Sequence, residues 1–246
     1  MVYTIEQQTP SYLCDRNDKL HIWAAVRLCQ EVTEYHGNST GIGYSELLEQ
    51  NRAWVIVRSY YEIYRRADSF EKISWNTWSR GTDGLFAFRD YRVNDAEGNI
   101  IMTGTSYWTL IDFSQRRAVR IKDAIKGYGF VDDFATDRHS LGKLTMPSFD
   151  ESDTAFSIIA RNSLIDHTQH VNNSEYIKMI FDALADRDFD MDKPLGIELN
   201  FQHETKPGDT LTIRIKESEG SYYAQAVNSQ GVSVNAVVKH IAAITH

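Results

Sequence analysis

The sequence predicts an α+β protein made of two similar halves, each with a long antiparallel sheet wrapped around one central helix. Apolar and polar residues alternate along many short runs, as at 210–217, which is the pattern of a strand with one buried face. Each half also contains an amphipathic helical run, and the order of elements in the first half recurs in the second. A tandem of such units predicts two sheets that join edge to edge into one continuous sheet.

Composition and charge exclude several classes of protein. The chain has 246 residues, of which 42% are hydrophobic and 24% charged, as is typical of a globular protein. The net charge of −8 argues against nucleic acid as the main partner, since a nucleic-acid backbone calls for a basic surface. No run approaches the roughly 18 apolar residues of a membrane helix, and residues 1–10 do not resemble a signal peptide. We therefore expect a soluble protein without a membrane partner.

The two cysteines indicate the compartment. Cys14 and Cys29 cannot form a framework of paired bridges, and we interpret both as buried free thiols. Because disulfides are rare in reducing compartments, this usage favours a cytoplasmic location.

The first half contains two predicted helices and five predicted strands. An alternating run predicts a strand at 2–14, and an apolar helical stripe predicts a helix at 20–35. Three glycines then break the chain before a short helix at 45–50. The remaining predicted strands are 54–66, 72–80, 86–93 and 100–113.

The second half repeats this order after a connecting segment. Glycines, a proline and mixed charge at 126–152 predict the linker between a first domain, 1–125, and a second domain, 153–246. The apolar run 155–160 predicts a strand, and the stripe at 176–184 predicts a helix. The remaining predicted strands are 197–203, 210–217, 221–228 and 232–244.

The two halves align with each other, and their side chains differ at the positions where chemistry is expected. A shift of 151 positions places Lys19 over His170. A shift of 138 positions places Arg66 over Glu204. Only the second half therefore has a titrating base together with a carboxylate, so we expect the catalytic centre there.

The junction at 166–173 lies between a predicted strand and a predicted helix. Asn172 or Asn173 is the predicted N-cap, and Asp166 is a further candidate for that role. The backbone N–H groups of Val171, Asn172 and Asn173 belong to a helix start, where such groups have no helical partner. Together with the helix dipole, these donors suit a carbonyl oxygen that acquires negative charge.

Short segments spread over most of the chain carry a resemblance to a known family. The most specific segments are His-Val-Asn-Asn-x-x-Tyr at 170–176 and Phe-Gln-His-Glu at 201–204. The similar segments of the first half are 51–55, 77–81, 88–90 and 108–117. In this order they resemble the acyl-acyl carrier protein (acyl-ACP) thioesterases of plants and bacteria, which are built as two fused hotdog domains.

The resemblance implies a reaction and a set of catalytic residues. The implied reaction is hydrolysis of the thioester of fatty acyl-ACP, with catalytic residues at Asp166, His170 and Glu204. Thr168, which we also include among the candidate catalytic residues, stands where the family usually has asparagine. Glu204 with His170 would orient or deprotonate water, Asp166 would fix the imidazole or its loop, and the helix N-terminus would receive the oxyanion. Direct attack by Glu204, which would form an anhydride, is the alternative.

The resemblance also implies an acyl pocket in the first half. Aromatic residues at strand and helix spacing are core residues in most proteins, so the core is the alternative role for these rings. The candidate pocket residues are Trp23, Trp54, Trp75, Phe86 and Phe88.

The implied partner is acyl carrier protein, which is acidic as a class and therefore suits a basic docking surface. One candidate is the pair Arg65 and Arg66. The other is a segment with a charge of +4. The alternative interpretation of this segment is a solvated charged face without a partner. That segment contains Arg116, Arg117, Arg120, Lys122 and Lys126 against the single acid Asp123.

Other activities find less support in the residues. No Gly-x-Ser-x-Gly motif of a serine hydrolase occurs. His167, His170, His203 and Asp166 are metal-ligating residue types, but they lack a His-Glu-x-x-His spacing, and we expect no metal and no cofactor. The alternatives are an acyl-CoA thioesterase and a non-catalytic acyl-binding module. We expect a monomeric pseudo-dimer or a homodimer.

Overall fold

The computed structural model describes residues 1–115, 117–121 and 129–244. The chain forms two compact units, Met1–Leu141 and Gly142–His246. Each unit is an antiparallel sheet with one long helix, as the sequence predicts. Within the described ranges, no helix is both long enough and apolar enough to cross a membrane. The cytoplasmic location stays a prediction.

The sheet of the first unit is antiparallel throughout. Its strands lie in the order β1-β3-β4-β5-β2, and β6 pairs with β5. The elements are β1 (Tyr3–Gln8), α1 (Ile22–Ser39), α2 (Tyr44–Leu48), β2 (Arg52–Ile63), β3 (Lys72–Thr82), β4 (Ala87–Asn94), β5 (Ile100–Asp112) and β6 (Arg117–Val119).

The core of the first unit forms between α1 and the sheet. Val26, Cys29 and Val32 recur at helical spacing and are at most 3% exposed, so the helix has one buried apolar stripe. The helix packs on β3, where Ile73 and Trp75 are equally buried. Burying an aliphatic side chain of this size stabilises a fold by about 1.5–3 kcal/mol, so the stripe determines which face of α1 meets the sheet.

The second unit repeats this arrangement with its own sheet, in the order β8-β11-β10-β9-β7. Along β9, Leu211, Ile213 and Ile215 are buried and alternate with more exposed residues, and α3 packs on this strand. The elements are β7 (Thr154–Ile159), α3 (Asn173–Ala185), β8 (Leu195–Phe201), β9 (Thr210–Ser218), β10 (Ser221–Asn228) and β11 (Gly231–His240).

Two strand ends and one additional strand illustrate where the structure departs from the prediction. β1 ends at Gln8 instead of continuing to 14, because Pro10 lacks an N–H group and a short 3-10 turn, Ser11–Leu13, follows it. β11 ends at His240 instead of 244. The three-residue strand β6 was not predicted, since so short a run has no measurable periodicity.

Residues 129–141 lie inside the predicted linker and pack on the first unit. The indole Nε1 of Trp78 donates to the carbonyl of Asp133 at 2.9 Å, and Arg58 donates to the carbonyl of Leu141 at 2.7 Å. These bonds attach the segment to β3 and β2, so the first unit ends at Leu141. The first three residues of the predicted linker lie outside the described part of the chain.

Candidate active site

A tight polar loop leads into the N-terminus of α3. The backbone N–H of Asp166 donates to the carbonyl of His170 at 3.0 Å. Ile165 forms an antiparallel bridge with Val171. Gln169 closes the loop with a φ of +67°, in the left-handed region. The loop therefore presents the side chain of His170 beside the start of the helix.

The carboxylate of Asp166 braces this loop. One oxygen accepts from the backbone N–H of Thr168 at 2.9 Å and from its hydroxyl at 2.5 Å. The other oxygen accepts from Nδ2 of Asn172 at 3.1 Å. Of the two roles expected for Asp166, these contacts favour fixing the loop over fixing the imidazole. The hydroxyl of Thr168 therefore acts as a hydrogen-bond donor to Asp166.

Asn172 is the N-cap of α3, as one of the sequence alternatives has it. Its Oδ1 accepts from the backbone N–H of Ser174 at 2.9 Å and from the Ser174 hydroxyl at 2.6 Å. The expectation that Asp166 caps the helix is wrong, because its carboxylate is turned into the loop that precedes the helix. Asn173, the other candidate cap, is the first residue of the helix.

Two of the three backbone donors predicted to receive an oxyanion are already engaged. The N–H of Val171 donates to the carbonyl of Thr205 at 2.9 Å. The N–H of Asn172 donates to the carbonyl of Leu164 at 3.0 Å. The prediction for these two groups is therefore corrected. In the described part of the chain, the N–H of Asn173 has no hydrogen-bond acceptor, which leaves it directed away from the helix as a potential donor.

The structure brings His170 and Glu204 together. Nε2 of His170 lies 2.9 Å from Oε2 of Glu204, which follows β8. The two side chains are 24% and 56% exposed, so the pair is accessible to water and to a substrate. An imidazole in contact with a carboxylate is an arrangement that can take a proton from water and return it to a leaving group.

A buried polar network surrounds the backbone of Glu204, and no role was predicted for it from the sequence. Asn228 donates from Nδ2 to the carbonyl of Glu204 and to the hydroxyl of Thr205, both at 3.1 Å. The hydroxyls of Thr205 and Ser233 are 3.0 Å apart. Burial raises the pKa of Tyr176, and hydrogen bonds with these two hydroxyls offset part of that rise. A comparison of the two aligned halves, which differ at these positions, is the signal that could have found them.

The first unit contains a loop with the same backbone. Asp15 donates its N–H to the carbonyl of Lys19 at 2.8 Å, and Leu20 donates to the carbonyl of Ala67 at 2.8 Å. Asp18 closes this loop in the left-handed region, with a φ of +58°. These bonds correspond one for one to those of the second unit, so the predicted shifts of 151 and 138 positions describe equivalent backbone positions.

The side chains of the first loop form two ion pairs, where the second loop has a carboxylate in contact with an imidazole. Arg66 lies 2.5 Å from Asp15, and Lys19 lies 2.7 Å from Asp68. Burial raises the pKa of Asp15, but hydrogen bonds from Arg66 and from backbone N–H groups outweigh it, so the pKa is below the ordinary value.

The five aromatic residues predicted to line an acyl pocket have four different surroundings. Phe86 and Phe88 both pack against Tyr107. Trp54 belongs to a separate apolar cluster, and its Nε1 donates to a loop carbonyl at 3.2 Å. Trp75 lines a small cavity, whereas Trp23 stacks on a neighbouring histidine at 5.6 Å. The cavity measures about 20 Å³, room for only one or two water molecules, so it does not hold an acyl chain in this conformation.

The candidate docking residues fall into three groups. Arg66 is only 8% exposed and pairs with Asp15, while Arg65 pairs with Glu71 and Asp95, so this pair is not a free basic surface and that prediction is wrong. Arg117 and Arg120 are exposed. The rest of the basic segment, Arg116, Lys122, Asp123 and Lys126, lies outside the described residues.

Metal-ligating side chains do not converge in the part of the chain that the structure describes. No group of three or more histidine, cysteine, aspartate or glutamate side chains there could hold a metal ion. Both cysteines are free, with Cys29 buried and Cys14 only partly buried.

Comparisons with known proteins cover most of the chain. The family model of the acyl-ACP thioesterase N-terminal domain matches residues 1–128, and that of the C-terminal domain matches residues 149–241. A dodecanoyl-[acyl-carrier-protein] hydrolase of Umbellularia californica is 26% identical over 230 residues. The match covers 88% of this chain and 60% of that longer protein.

Two solved structures have the same fold. An acyl-ACP thioesterase from Bacteroides thetaiotaomicron has a TM-score of 0.80 at 22% identity, and the match covers 98% of each chain. The 12:0-ACP thioesterase from Umbellularia californica has a TM-score of 0.83 at 22% identity, over 97% of this chain and 96% of that one. At this identity the likeness establishes the fold, and the predicted tandem hotdog fold is confirmed.

Proposed function

The chain belongs to the acyl-ACP thioesterase family, and from this premise we propose that it hydrolyses fatty acyl-ACP to free fatty acid and holo-ACP. The observation that carries the proposal is the contact of 2.9 Å between His170 and Glu204 beside the N-terminus of α3. The relatives named above act on acyl thioesters of the carrier protein, and the same reaction fits a water-accessible acid and imidazole.

His170 acts as the base, with Glu204 as its partner. The Nε2–H group donates to the carboxylate of Glu204, which leaves the lone pair on Nδ1 for a water proton. Water attacks the thioester carbonyl as Nδ1 takes this proton, so a C–O bond forms. The resulting imidazolium is stabilised by the adjacent carboxylate.

The N-terminus of α3 stabilises the tetrahedral intermediate. Its carbonyl oxygen carries the negative charge and accepts a hydrogen bond from the N–H of Asn173, where the helix dipole adds to the attraction. When the intermediate collapses, the C–S bond breaks and the imidazolium of His170 returns its proton to the sulfur. The products are a fatty acid and the thiol of the carrier protein.

Asp166 and Thr168 act through the loop. The carboxylate of Asp166 joins Thr168 to Asn172, and this bracing holds His170 at a constant position relative to the helix N-terminus. The acyl-ACP thioesterases usually have asparagine at the position of Thr168. In this chain the hydroxyl of Thr168 and Nδ2 of Asn172 both donate to Asp166.

One assay tests the proposed function. The purified protein is incubated with acyl-ACP and with acyl-CoA of matched chain length, and free thiol is followed at several salt concentrations. We expect hydrolysis, with a higher kcat/KM for the carrier-linked substrate, because exposed Arg117 and Arg120 attract an acidic carrier. Raising the salt from 0.1 to 1 M shortens the Debye length from about 10 to about 3 Å, so the preference should shrink.

The other outcomes of this assay identify the alternatives. Thiol release from acyl-CoA but not from acyl-ACP would make the chain an acyl-CoA thioesterase. Binding of both substrates without thiol release would make it a non-catalytic acyl-binding module. A preference for acyl-ACP that does not change with salt would remove the electrostatic argument for the two arginines.

A further inference from the structure

The backbone of Glu204 and Thr205 is the point where three parts of the second unit meet. The carbonyl of Thr205 accepts from the N–H of Val171, which follows His170. The carbonyl of Glu204 accepts from Asn228 at the end of β10. Two successive carbonyls therefore connect the loop that carries the imidazole, the strand end at β10 and the residue that carries the carboxylate.

The orientation of the Asn228 amide follows from its partners. Its Oδ1 accepts from the backbone N–H of Gln230 at 2.8 Å, so Nδ2 faces the carbonyl of Glu204 and the hydroxyl of Thr205. Because the Thr205 hydroxyl accepts from Asn228, its own proton is directed to a further oxygen, and Ser233 lies 3.0 Å away. Thr205 is thus held on both sides, and neither it nor Ser233 is exposed at all.

The first unit builds the same turn without the hydroxyl groups of this network. There, Arg65 donates its N–H to the carbonyl of Ile101, as His203 donates to that of Ser233. Ile101 is thus the counterpart of Ser233, and the shift of 138 positions makes Ala67 the counterpart of Thr205.

A third apolar counterpart is Ala25, because the shift of 151 positions places it over Tyr176. All three counterparts, Ala25, Ala67 and Ile101, are apolar and line the small cavity of the first unit. The turn therefore folds with an apolar interior, and the hydroxyls of the second unit are not required to form it.

Burying hydroxyl and amide groups costs free energy unless every group finds a partner, whereas a fully satisfied network fixes the atoms that it joins. Here the network occurs only in the unit that has the acid and the imidazole. We propose that Thr205 is a positioning residue for the reaction: with Asn228, Ser233 and Tyr176, it holds the backbone of Glu204 so that the carboxylate meets His170. This inference rests on the proposed function and adds residues that act through Glu204.

Three substitutions at one position test the proposal. Thr205→Val keeps the branched shape and removes the hydroxyl, and Thr205→Ala introduces the residue that the first unit tolerates at this place. Both should lower kcat on acyl-ACP by about 10- to 100-fold with little change in KM, since displacement of a reacting group by about 1 Å has an effect of this size. Thr205→Ser restores the hydroxyl and should restore kcat.

The matched control removes a buried threonine hydroxyl from the first unit. Thr103 is 2% exposed, and its hydroxyl donates to Glu62 at 3.1 Å. Thr103→Val likewise removes the hydrogen bond of a buried threonine hydroxyl, so it should lower the free energy of unfolding and leave kcat of the folded protein unchanged.

A double-mutant comparison separates positioning from a general loss of structure. If Thr205 acts through Glu204, Thr205→Val should not lower kcat further in a Glu204→Ala background. An equal loss in both backgrounds overturns the proposal, and so does an undiminished kcat in Thr205→Val and Thr205→Ala. An unmodified protein that releases no thiol from acyl-ACP overturns the proposed function itself. A fully active Glu204→Ala overturns the role of Glu204, and an inactive Glu204→Ala with harmless Thr205 variants overturns only the role of Thr205.

Discussion

The loops that precede α1 and α3 have the same backbone and different side chains. Each closes with an N–H···O bond across four residues, from Asp15 to Lys19 in the first unit and from Asp166 to His170 in the second. The residues at the two helix N-caps have nearly identical angles, with φ −60° and ψ 140° in the first unit and φ −60° and ψ 141° in the second. Hydrogen bonds between main-chain groups therefore determine the loop, together with an aspartate, Asp15 or Asp166, that accepts the N–H two residues further on. The other side chains can differ.

The difference between the two loops concerns the chemistry that each allows. In the first, Arg66 and Lys19 are cations paired with carboxylates, and both side chains are hydrogen-bond donors without an acceptor site. In the second, an imidazole at the position of Lys19 contacts a carboxylate at the position of Arg66. The comparison teaches that the fold supplies the geometry of a site twice, while residue identity places a proton acceptor in only one copy.

The largest loss of kcat is expected when the carboxylate or the imidazole of the second loop is removed. His170→Ala and Glu204→Gln should each lower kcat by about 10²- to 10⁴-fold, the range in which general acid–base catalysis contributes. Steady-state hydrolysis of acyl-ACP measures this, with the circular dichroism spectrum recorded to establish folding. Near-normal turnover in both variants would contradict the assignment.

The matched control for these variants is Lys19→Ala at the equivalent place in the first unit. Lys19 forms an exposed ion pair with Asp68, and such pairs contribute about 0–1 kcal/mol. Activity and stability should both stay near those of the unmodified protein. A large loss of turnover in Lys19→Ala would mean that the first loop takes part in catalysis.

The next effect concerns stability and the ion pair of the first loop. Asp15→Asn leaves the buried guanidinium of Arg66 without its carboxylate and should lower the free energy of unfolding by about 3 kcal/mol, as removal of one partner of a buried pair does. Denaturant titration at pH 7 measures the change. Turnover per folded molecule should be unaffected, which distinguishes this variant from those of the second loop.

The same pair has a defined pH dependence. Hydrogen bonds from Arg66 and backbone N–H groups outweigh the effect of burial and lower the pKa of Asp15 below the ordinary value of 3.8. Because the unfolded chain binds the proton more readily, this contribution is complete above that ordinary value and is lost as the pH falls through the folded-state pKa. Asp15→Asn should reduce the acid sensitivity of stability, and an unchanged pH profile would contradict the role of the pair.

The smallest expected effect is at Thr168. Thr168→Val removes the hydroxyl that donates to Asp166 while the backbone N–H bond remains, and kcat should fall about tenfold, as expected for one hydrogen bond to a charged group. Thr168→Ser keeps the hydroxyl and should retain the activity. Asn17→Ala, at the equivalent place in the first loop, is the control and should leave kcat unchanged. Equal rates in all three variants would show that the loop needs no such brace.

The interior of the chain shows how far sequence patterns reach. The alternation at Leu211, Ile213 and Ile215 predicts a half-buried strand, and the strand is present because periodicity reports the burial of local faces. The linker prediction, by contrast, missed that residues 129–141 pack on the first sheet. Those contacts are individual hydrogen bonds, such as the one from the indole of Trp78 to a backbone carbonyl, and no periodic sequence pattern predicts them.

The candidate site shows the same limit on a smaller scale. Pairing of Asn172 with the helix start is a local interaction and was predicted as one of the alternatives. Engagement of the Val171 N–H by the carbonyl of Thr205 is not local, and it removes a donor that the helix N-terminus alone would offer. The five aromatic residues predicted to line one acyl pocket likewise lie in four different surroundings.

The sequence alone determined that the chain repeats one helix-and-sheet unit and that only the second copy has an imidazole and a carboxylate at matching positions, because periodicity and internal alignment are properties of the chain. The tertiary structure decided that the N–H of Val171 is engaged by the carbonyl of Thr205 and that the hydroxyl of Thr205 accepts from Asn228. These facts depend on hydrogen bonds between segments far apart in the chain, such as Thr205 with Ser233, whose partners are known only once the strands are in register.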